Sequence, residues 1–261
     1  MRKHTLFPIS VVALAAFILG AGFLFFSAIP TGPPVGTTHT IPGTVVGPEP
    51  QGITSKPAPT TGTPSRPIGD VPFTVQAPNA NWDDPILQDG CEEAALLMAD
   101  AWLREKELSD PTAITDAIRA LADFEEKRFG HSEDMNLPEL AIVIREYSGR
   151  GNIRTIDDAT IEDIVVEIET GNLVLAPSYG RALGNPHFTA PGPITHMLVL
   201  IGYDLENREF VVNDPGTKYG KGYRYDEDVL FDAIWAYPPG RTHPEPPEPK
   251  ERTKSVLIIS R

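Results

Sequence analysis

Apolar residues fall along the chain in three regimes. Ile9 to Ala28 is a run with no charged residue, large apolar side chains almost vanish from Pro30 to Asp70, and from Val71 onward apolar and polar positions repeat with recognisable periods. In the third regime Ala94, Leu97, Met98, Ala101 and Trp102 recur at i, i+3, i+4, i+7, i+8 spacing, which predicts a helix from Glu92 to about Lys106. Ala95, Leu96 and Ala99 widen its apolar stripe nearly all the way round, the signature of a central, buried helix. Three more helices are predicted, from Asp110-Pro111 to about Phe129, from Leu137-Pro138 to Tyr147, and from Asp157 to Thr170. After Gly171 the period changes. Leu173 to Pro177, His196 to Tyr203, Arg208 to Asn213, Gly222 to Tyr225 and Ser255 to Ser260 are short apolar or β-branched runs bounded by Gly, Pro, Asn and Asp, as strands are. Helices first and strands afterwards predict an α+β domain with segregated layers, and no internal repeat is visible.

The first regime has the length of a membrane span. At about 1.5 Å per residue, some 20 helical residues cross a bilayer core of about 30 Å. Arg2 and Lys3 lead the run, and Phe25-Phe26-Ser27-Ala28 offers no clear small-x-small cleavage site. The expectation is an uncleaved anchor over residues 1–29, with its transmembrane helix at about 9–28; a cleaved secretory signal is the alternative. The basic flank stays cytoplasmic, so a single-pass protein would carry the rest of the chain outside the cell membrane, with the lipid bilayer as a partner of the N-terminal helix. Residues 30–70, rich in Pro, Thr and Gly, read as a disordered linker that reaches roughly 130 Å as polyproline or nearer 35 Å as a coil. Residues 71–261 are then the folded domain.

Charge narrows the partners. The chain holds 22 Lys and Arg against 36 Asp and Glu, and setting aside Arg2, Lys3, Lys56, Arg66, Glu49 and Asp70 leaves the domain at −16. Phosphate-backbone binding draws on dense Lys and Arg, so nucleic acid is not an expected partner, and anionic headgroups should repel the domain. A single cysteine excludes an intrachain disulfide framework and any multi-Cys metal site.

That cysteine stands where the buried helix begins, after Gln88-Asp89-Gly90. Unpaired backbone N–H groups and the positive end of the dipole at a helix N-terminus stabilise a thiolate, which suits Cys91 to be a nucleophile; Glu92 and Glu93 oppose this unless they point away. The competing reading is a small buried hydrophobe. A thiol nucleophile needs a base, in practice histidine, held in one tautomer by an acceptor. Of six histidines, His4 precedes the apolar run, His39 lies in the linker and His243 in a Pro-rich stretch, leaving His131, His187 and His196. Only His196 opens a core strand. If the strands flanking Asp204 to Asn207 pair as a hairpin with a three- or four-residue loop, residue 214, 215 or 216 falls opposite His196. Asp214 is in that range, as a carboxylate able to orient the imidazole or as a turn former before Pro215-Gly216; Asn213 is the fallback.

The order Cys, His, Asp, with the cysteine on a buried helix and the others on adjacent strands, resembles the papain-like cysteine peptidases, and more closely the C39-like peptidase family. The resemblance is carried by Val71-Pro72-Phe73 with Gln76-Ala77-Pro78, Asn81-Trp82-Asp83-Asp84, Gln88-Asp89-Gly90-Cys91-Glu92-Glu93-Ala94, Asn185-Pro186-His187-Phe188, Gly192-Pro193-Ile194-Thr195-His196-Met197, Gly202-Tyr203-Asp204 and Asn213-Asp214-Pro215. It spans nearly all of 71–261 and implies a papain-like fold, a buried N-terminal helix on an antiparallel sheet. It implies Cys91 as nucleophile, His196 as base, Asp214 as orienting acid, and a glutamine as oxyanion donor. Gln76 occupies the family's usual place after Val-Pro-Phe but lies 15 residues upstream of the cysteine, whereas Gln88 lies three upstream; Gln76 is preferred and Gln88 is the alternative.

On this reading the protein is a membrane-anchored extracytoplasmic thiol hydrolase of peptide or amide bonds, acting on a peptide or protein substrate, with no metal or organic cofactor implied because the thiolate is the chemical agent. Two rivals stand beside it: a catalytically silent domain that binds peptide or cell-envelope material in the same cleft, and an amidase or transpeptidase-type acyl transferase. The sequence carries no trace of oligomeric state.

Overall fold

A computed structural model of the chain describes residues 68–240 and 244–261. The expected anchor at 9–28, and the expected linker up to residue 67, lie outside the described residues, as do His4, His39 and His243. No helix among the described residues is long and apolar enough to cross a membrane. Packing begins at Ile68, three residues before Val71: its side chain joins the core and its N–H donates to Ile201 O at 2.9 Å.

The first helix, α1 (Pro85–Asp89), was not anticipated, although its start is written in the sequence. Asp84 caps it by accepting from the Ile86 N–H at 3.0 Å, and Pro85 takes the first helical position, where its missing N–H costs nothing. Gly90 then joins α1 to α2 (Cys91–Leu103). A Cβ at residue 90 would lie 2.9 Å from Ile86 O and 3.2 Å from Ile118 Cγ2, so the two helices meet at a point that only glycine fits. That junction places Cys91 on the first turn of α2. Every residue of α2 except Asp100 is buried, as the wide apolar stripe predicts. The helix stops at Leu103 rather than Lys106, because Arg104 caps it and Glu105 turns to φ +54.

Two further helices follow their caps closely. In α3 (Pro111–Phe129) Asp110 accepts from the Thr112 N–H and Gly130 closes the end at φ +84. In α4 (Leu137–Ser148) Asn136 and Glu139 form a reciprocal capping box. The predicted start of the next helix at Asp157 is corrected to Ile161: a second capping box, Thr160 with Asp163, fixes the entry of α5 (Ile161–Glu169). A last helix, α6 (Glu227–Ala233), follows the strands, with Asp226 as its cap.

Six antiparallel strands form one sheet: β1 (Asn152–Ile156), β2 (Leu173–Tyr179), β3 (Thr195–Asp204), β4 (Glu209–Asn213), β5 (Tyr223–Asp226) and β6 (Val256–Ser260), in the order β1-β6-β2-β3-β4-β5. The expected α+β class with an antiparallel sheet holds. Strict segregation does not, because β1 precedes α5 and α6 follows β5. Unbroken burial along β2 from Leu173 to Ser178 shows that both faces of the sheet's centre are covered, with α2 and α5 packed on β3 and α6 on β2 and β4.

The β3–β4 hairpin sets the site. Asp204 pairs with Glu209 and Tyr203 with Phe210; after a bulge between Leu200 and Gly202, Leu200 pairs with Val212 and Val199 with Asn213. Continued beyond the strand's end, that register puts Gly216 opposite His196 and leaves Asp214 on the diagonal, a distance long side chains bridge.

Candidate active site

His196 begins the buried part of β3 and is 1% exposed. Its backbone is fixed by Tyr237, whose hydroxyl accepts from the His196 N–H at 2.7 Å and is 2.8 Å from His196 O. Its ring is fixed by Asp214: Nε2 lies 2.7 Å from Oδ1, and because a carboxylate only accepts, Nε2 carries the hydrogen. Nδ1 is therefore the nitrogen able to take a proton. Phe188 stands edge-on to the imidazole, with centroids 5.2 Å apart. A Cβ at residue 216 would sit 2.8 Å from His196 Cε1 and 3.0 Å from Phe188 Cε1, so the ring occupies the space a side chain would need.

Asp214 is fully buried, and both of its oxygens are occupied. Oδ1 accepts from His196 and from the Gly216 N–H at 2.9 Å; Oδ2 accepts from the Tyr225 hydroxyl at 2.7 Å and from Asn185 Nδ2 at 3.1 Å. Burial pushes its pKa up, but the His196 ring and these donors outweigh burial and hold the carboxyl below its ordinary value. Burial and the Asp214 charge raise the Tyr225 hydroxyl, keeping it a donor. Asn185, Tyr225 and Tyr237 were given no role from sequence. Asn185 does lie in a motif that carries the family resemblance, but the loop around it hides where its amide points.

Cys91 is 5% exposed, and with His196 it lines a cavity of about 510 Å³. Its thiol donates to Glu92 Oε2 at 2.9 Å, and the backbone N–H of Met197 points at the sulfur. Burial, followed by the Glu92 and Glu93 carboxyls, raises the thiol well above its ordinary value. The helix N-terminus does not prevail here, since the buried Glu92 carboxyl points at the sulfur rather than away from it. Glu92, 1% exposed, is itself pushed up to about 8, first by burial and then by Asp134 and Asp89 against the Cys91 contact. Behind it Glu93 is raised by burial and by Glu125, and burial lifts Glu125 to about 8.

Gln76 reaches the same cavity although it is far from Cys91 in sequence, because its N–H donates to Pro215 O at 3.0 Å and so pins the segment against the Asp214 turn. Its Nε2 donates to Leu87 O at 3.1 Å and Gln88 O at 2.6 Å, while Oε1 is buried without a partner. Two carbonyls around one end of the amide require that end to be the NH2. Gln88 is exposed and gives its Nε2 to Trp82 O at 2.5 Å, although it too lines the cavity. The fallback Asn213 is engaged elsewhere, with Val71 O and the Gly222 N–H. His131 contacts Glu133 O and Glu139, and His187 stacks on Tyr219; neither lines the cavity. The structure thus brings Cys91, His196, Asp214 and Gln76 together.

No curated protein matches the chain. Among solved structures, a crystal structure of a Bacillus anthracis chain provisionally assigned as a C39-like peptidase aligns with a TM-score of 0.48 and 14% identity, covering 75% of this chain and 97% of the other. The model of the Peptidase_C39 like family matches residues 68–238, from the first packed residue to just past Tyr237 and including every residue placed around the cavity, and the chain belongs to that family.

Proposed function

We propose that the chain is a papain-like cysteine peptidase that hydrolyses peptide or amide bonds through Cys91, His196 and Asp214. The observation that carries this reading is the buried His196–Asp214 pair, with both carboxylate oxygens hydrogen-bonded and the imidazole opening on the same cavity as the domain's one thiol. His196 Nδ1 takes the thiol proton as the sulfur attacks a substrate carbonyl. The C–N bond then breaks as the imidazolium returns that proton to the leaving amine, and His196 next deprotonates the water that releases the acid and frees the sulfur. Asp214 holds the imidazole in one tautomer and stabilises its cation. The backbone N–H of Cys91, at the open end of α2, is one donor for the developing oxyanion. Gln76 supplies the second by giving up one of its two carbonyl contacts, and Gln88 is the alternative.

Substituting Cys91 with Ala tests the reading: hydrolysis of a casein or peptide-library substrate should vanish while folding is kept, and turnover retained by that variant would end the proposal. The same proposal places the domain outside a membrane, supported by the uncharged run Ile9 to Ala28 behind Arg2 and Lys3. Resistance of the full chain to carbonate extraction, with the domain open to protease added outside, is the expected result.

A further inference from the structure

We propose that a second hollow, reached past Phe188, is a subsite for a carboxylate of the substrate, held by the Arg181 guanidinium. This rests on the hydrolase reading and names a substrate class, peptides that carry an anionic group close to the bond that is cut. The hollow, of about 310 Å³, is formed within the loop from Gly180 to Gly192, and Arg181 is the one charged residue that lines it. In a domain of charge −16, a wall with a base and no acid selects for anions. Arg181 Nε donates to Gly192 O at 3.2 Å, which anchors the guanidinium to the loop. Among the described residues nothing accepts from Nη1 or Nη2, the two nitrogens whose parallel N–H groups take a carboxylate bidentately. The main-chain N–H groups of Gly180, Gly184, Phe188 and Gly192 are spent on main-chain carbonyls, so recognition falls to the arginine. Phe188 joins the hollow to the catalytic cavity, because it lines both. Its ring stands 5.2 Å from the His196 ring, and a Cβ at residue 192 would lie 3.6 Å from Phe188 Cδ2 and 3.8 Å from Arg181 Cγ. The Arg181 stem is thus one side chain farther from the imidazole than Phe188. That puts the guanidinium on the order of 10 Å from the imidazole, so a carboxylate held there belongs to a residue about two or three positions from the scissile bond. A neutral group gains nothing at this place and a basic one is repelled. Two carboxylates share the chemistry, that of an Asp or Glu side chain and that of the peptide's own C-terminus.

The test digests one synthetic peptide library with the full chain and maps the cut sites by mass spectrometry, the library being made once with free C-termini and once with amidated ones. Asp or Glu at one fixed place within about three residues of the cut should be enriched about 5-fold over Asn and Gln in both preparations. An enrichment that instead follows the free C-terminus, and is lost from the amidated library, also supports the subsite and identifies the terminal carboxylate as its occupant. Arg181→Gln should abolish the preference. Arg181→Lys, which keeps the charge without the Nε bond to the loop, should retain part of it, and Arg181→Glu should turn it towards Lys and Arg. A role in closing the loop alone gives no such inversion. Arg150→Gln, at an exposed base just before β1, should leave the profile of the parent chain. No preference for a carboxylate in either library, or one that survives both Arg181→Gln and Arg181→Glu, would overturn the subsite. If the library is left uncut, the hydrolase reading falls. The subsite is then read by calorimetric titration with acetylated Ala-Ala-Glu-Ala-Ala amide, Ala-Ala-Gln-Ala-Ala amide and Ala-Ala-Gln-Ala-Ala free acid. Tighter binding of either carboxylate-bearing peptide, lost in Arg181→Gln, supports it, and equal binding of all three overturns it.

Discussion

On the sheet side of the cleft, Asp214 buries two oxygens and four donors reach them; on the helix side, Glu92, Glu93 and Glu125 bury oxygens that accept nothing. The first arrangement holds a charge at little cost, because each lone pair lost to water is replaced by an N–H or O–H. The second cannot hold its charges, so the carboxyls keep their protons to unusually high pH and the neighbouring thiol keeps its own. The imidazole is therefore in place before substrate arrives, whereas the sulfur is stored protonated against Glu92. Activation on this view is a change on the helix side alone.

The largest effect should come from breaking the sheet side. Asp214→Ala leaves the Tyr225 hydroxyl, Asn185 Nδ2 and the Gly216 N–H without an acceptor and frees the imidazole. Denaturant unfolding should show a loss of about 3–5 kcal/mol, and hydrolysis should fall about 1,000-fold or more. The helix side should appear next, in the pH dependence of stability. Glu92 and Glu125 titrate near 8 in the folded chain and near 4.5 when unfolded, so the unfolded state releases its protons first. Their contribution is full below about pH 4.5 and is lost as the pH rises towards 8. Calorimetry should give a Tm roughly 5–10 °C higher at about pH 5.5 than at about pH 8.5, with Glu125→Gln flattening the difference.

A smaller change sharpens the contrast on the sheet side. Tyr225→Phe removes one of the four donors to Asp214 and should cost about 1–3 kcal/mol, with hydrolysis reduced about 10-fold and the burial of the imidazole kept. On the helix side, Glu92→Gln removes the carboxyl that accepts the thiol's hydrogen bond. The pH profile of Cys91 alkylation by iodoacetamide should move to lower pH, with a rate near neutrality several-fold above the parent. An unchanged profile would mean that burial alone, and not Glu92, holds the proton on the sulfur.

The helices that the sequence shows plainly are those whose caps are local. Asp110-Pro111 and Leu137-Pro138 mark α3 and α4 because capping is settled within four residues. Asp84-Pro85 is the same kind of signal, but α1 is too short for a period to show. Strand β1 escaped because only Ile153 among its five residues is fully buried, and its identity as a strand depends on β6, about a hundred residues away. Cys91, His196 and Asp214 could be singled out because each sits at the end of an element with a readable period. Asn185, Tyr225 and Tyr237 could not, since nothing in the chain around them says which carboxylate or main-chain atom they will meet. The direction of the Cys91 shift was also out of reach: a helix start followed by two acids fixes the types of charge but not the rotamer of Glu92.

Strand β6 lies between β1 and β2, and Tyr237 ties down the main chain of His196. Residues 256–260 must therefore slot in beside β2 before the sheet is whole, long after Cys91 has been synthesised. A nascent chain would carry its sulfur for more than half its length without a partner able to deprotonate it. On the proposed reading, a hydrolase assembled in that order is harmless to its own unfolded segments until the domain has closed.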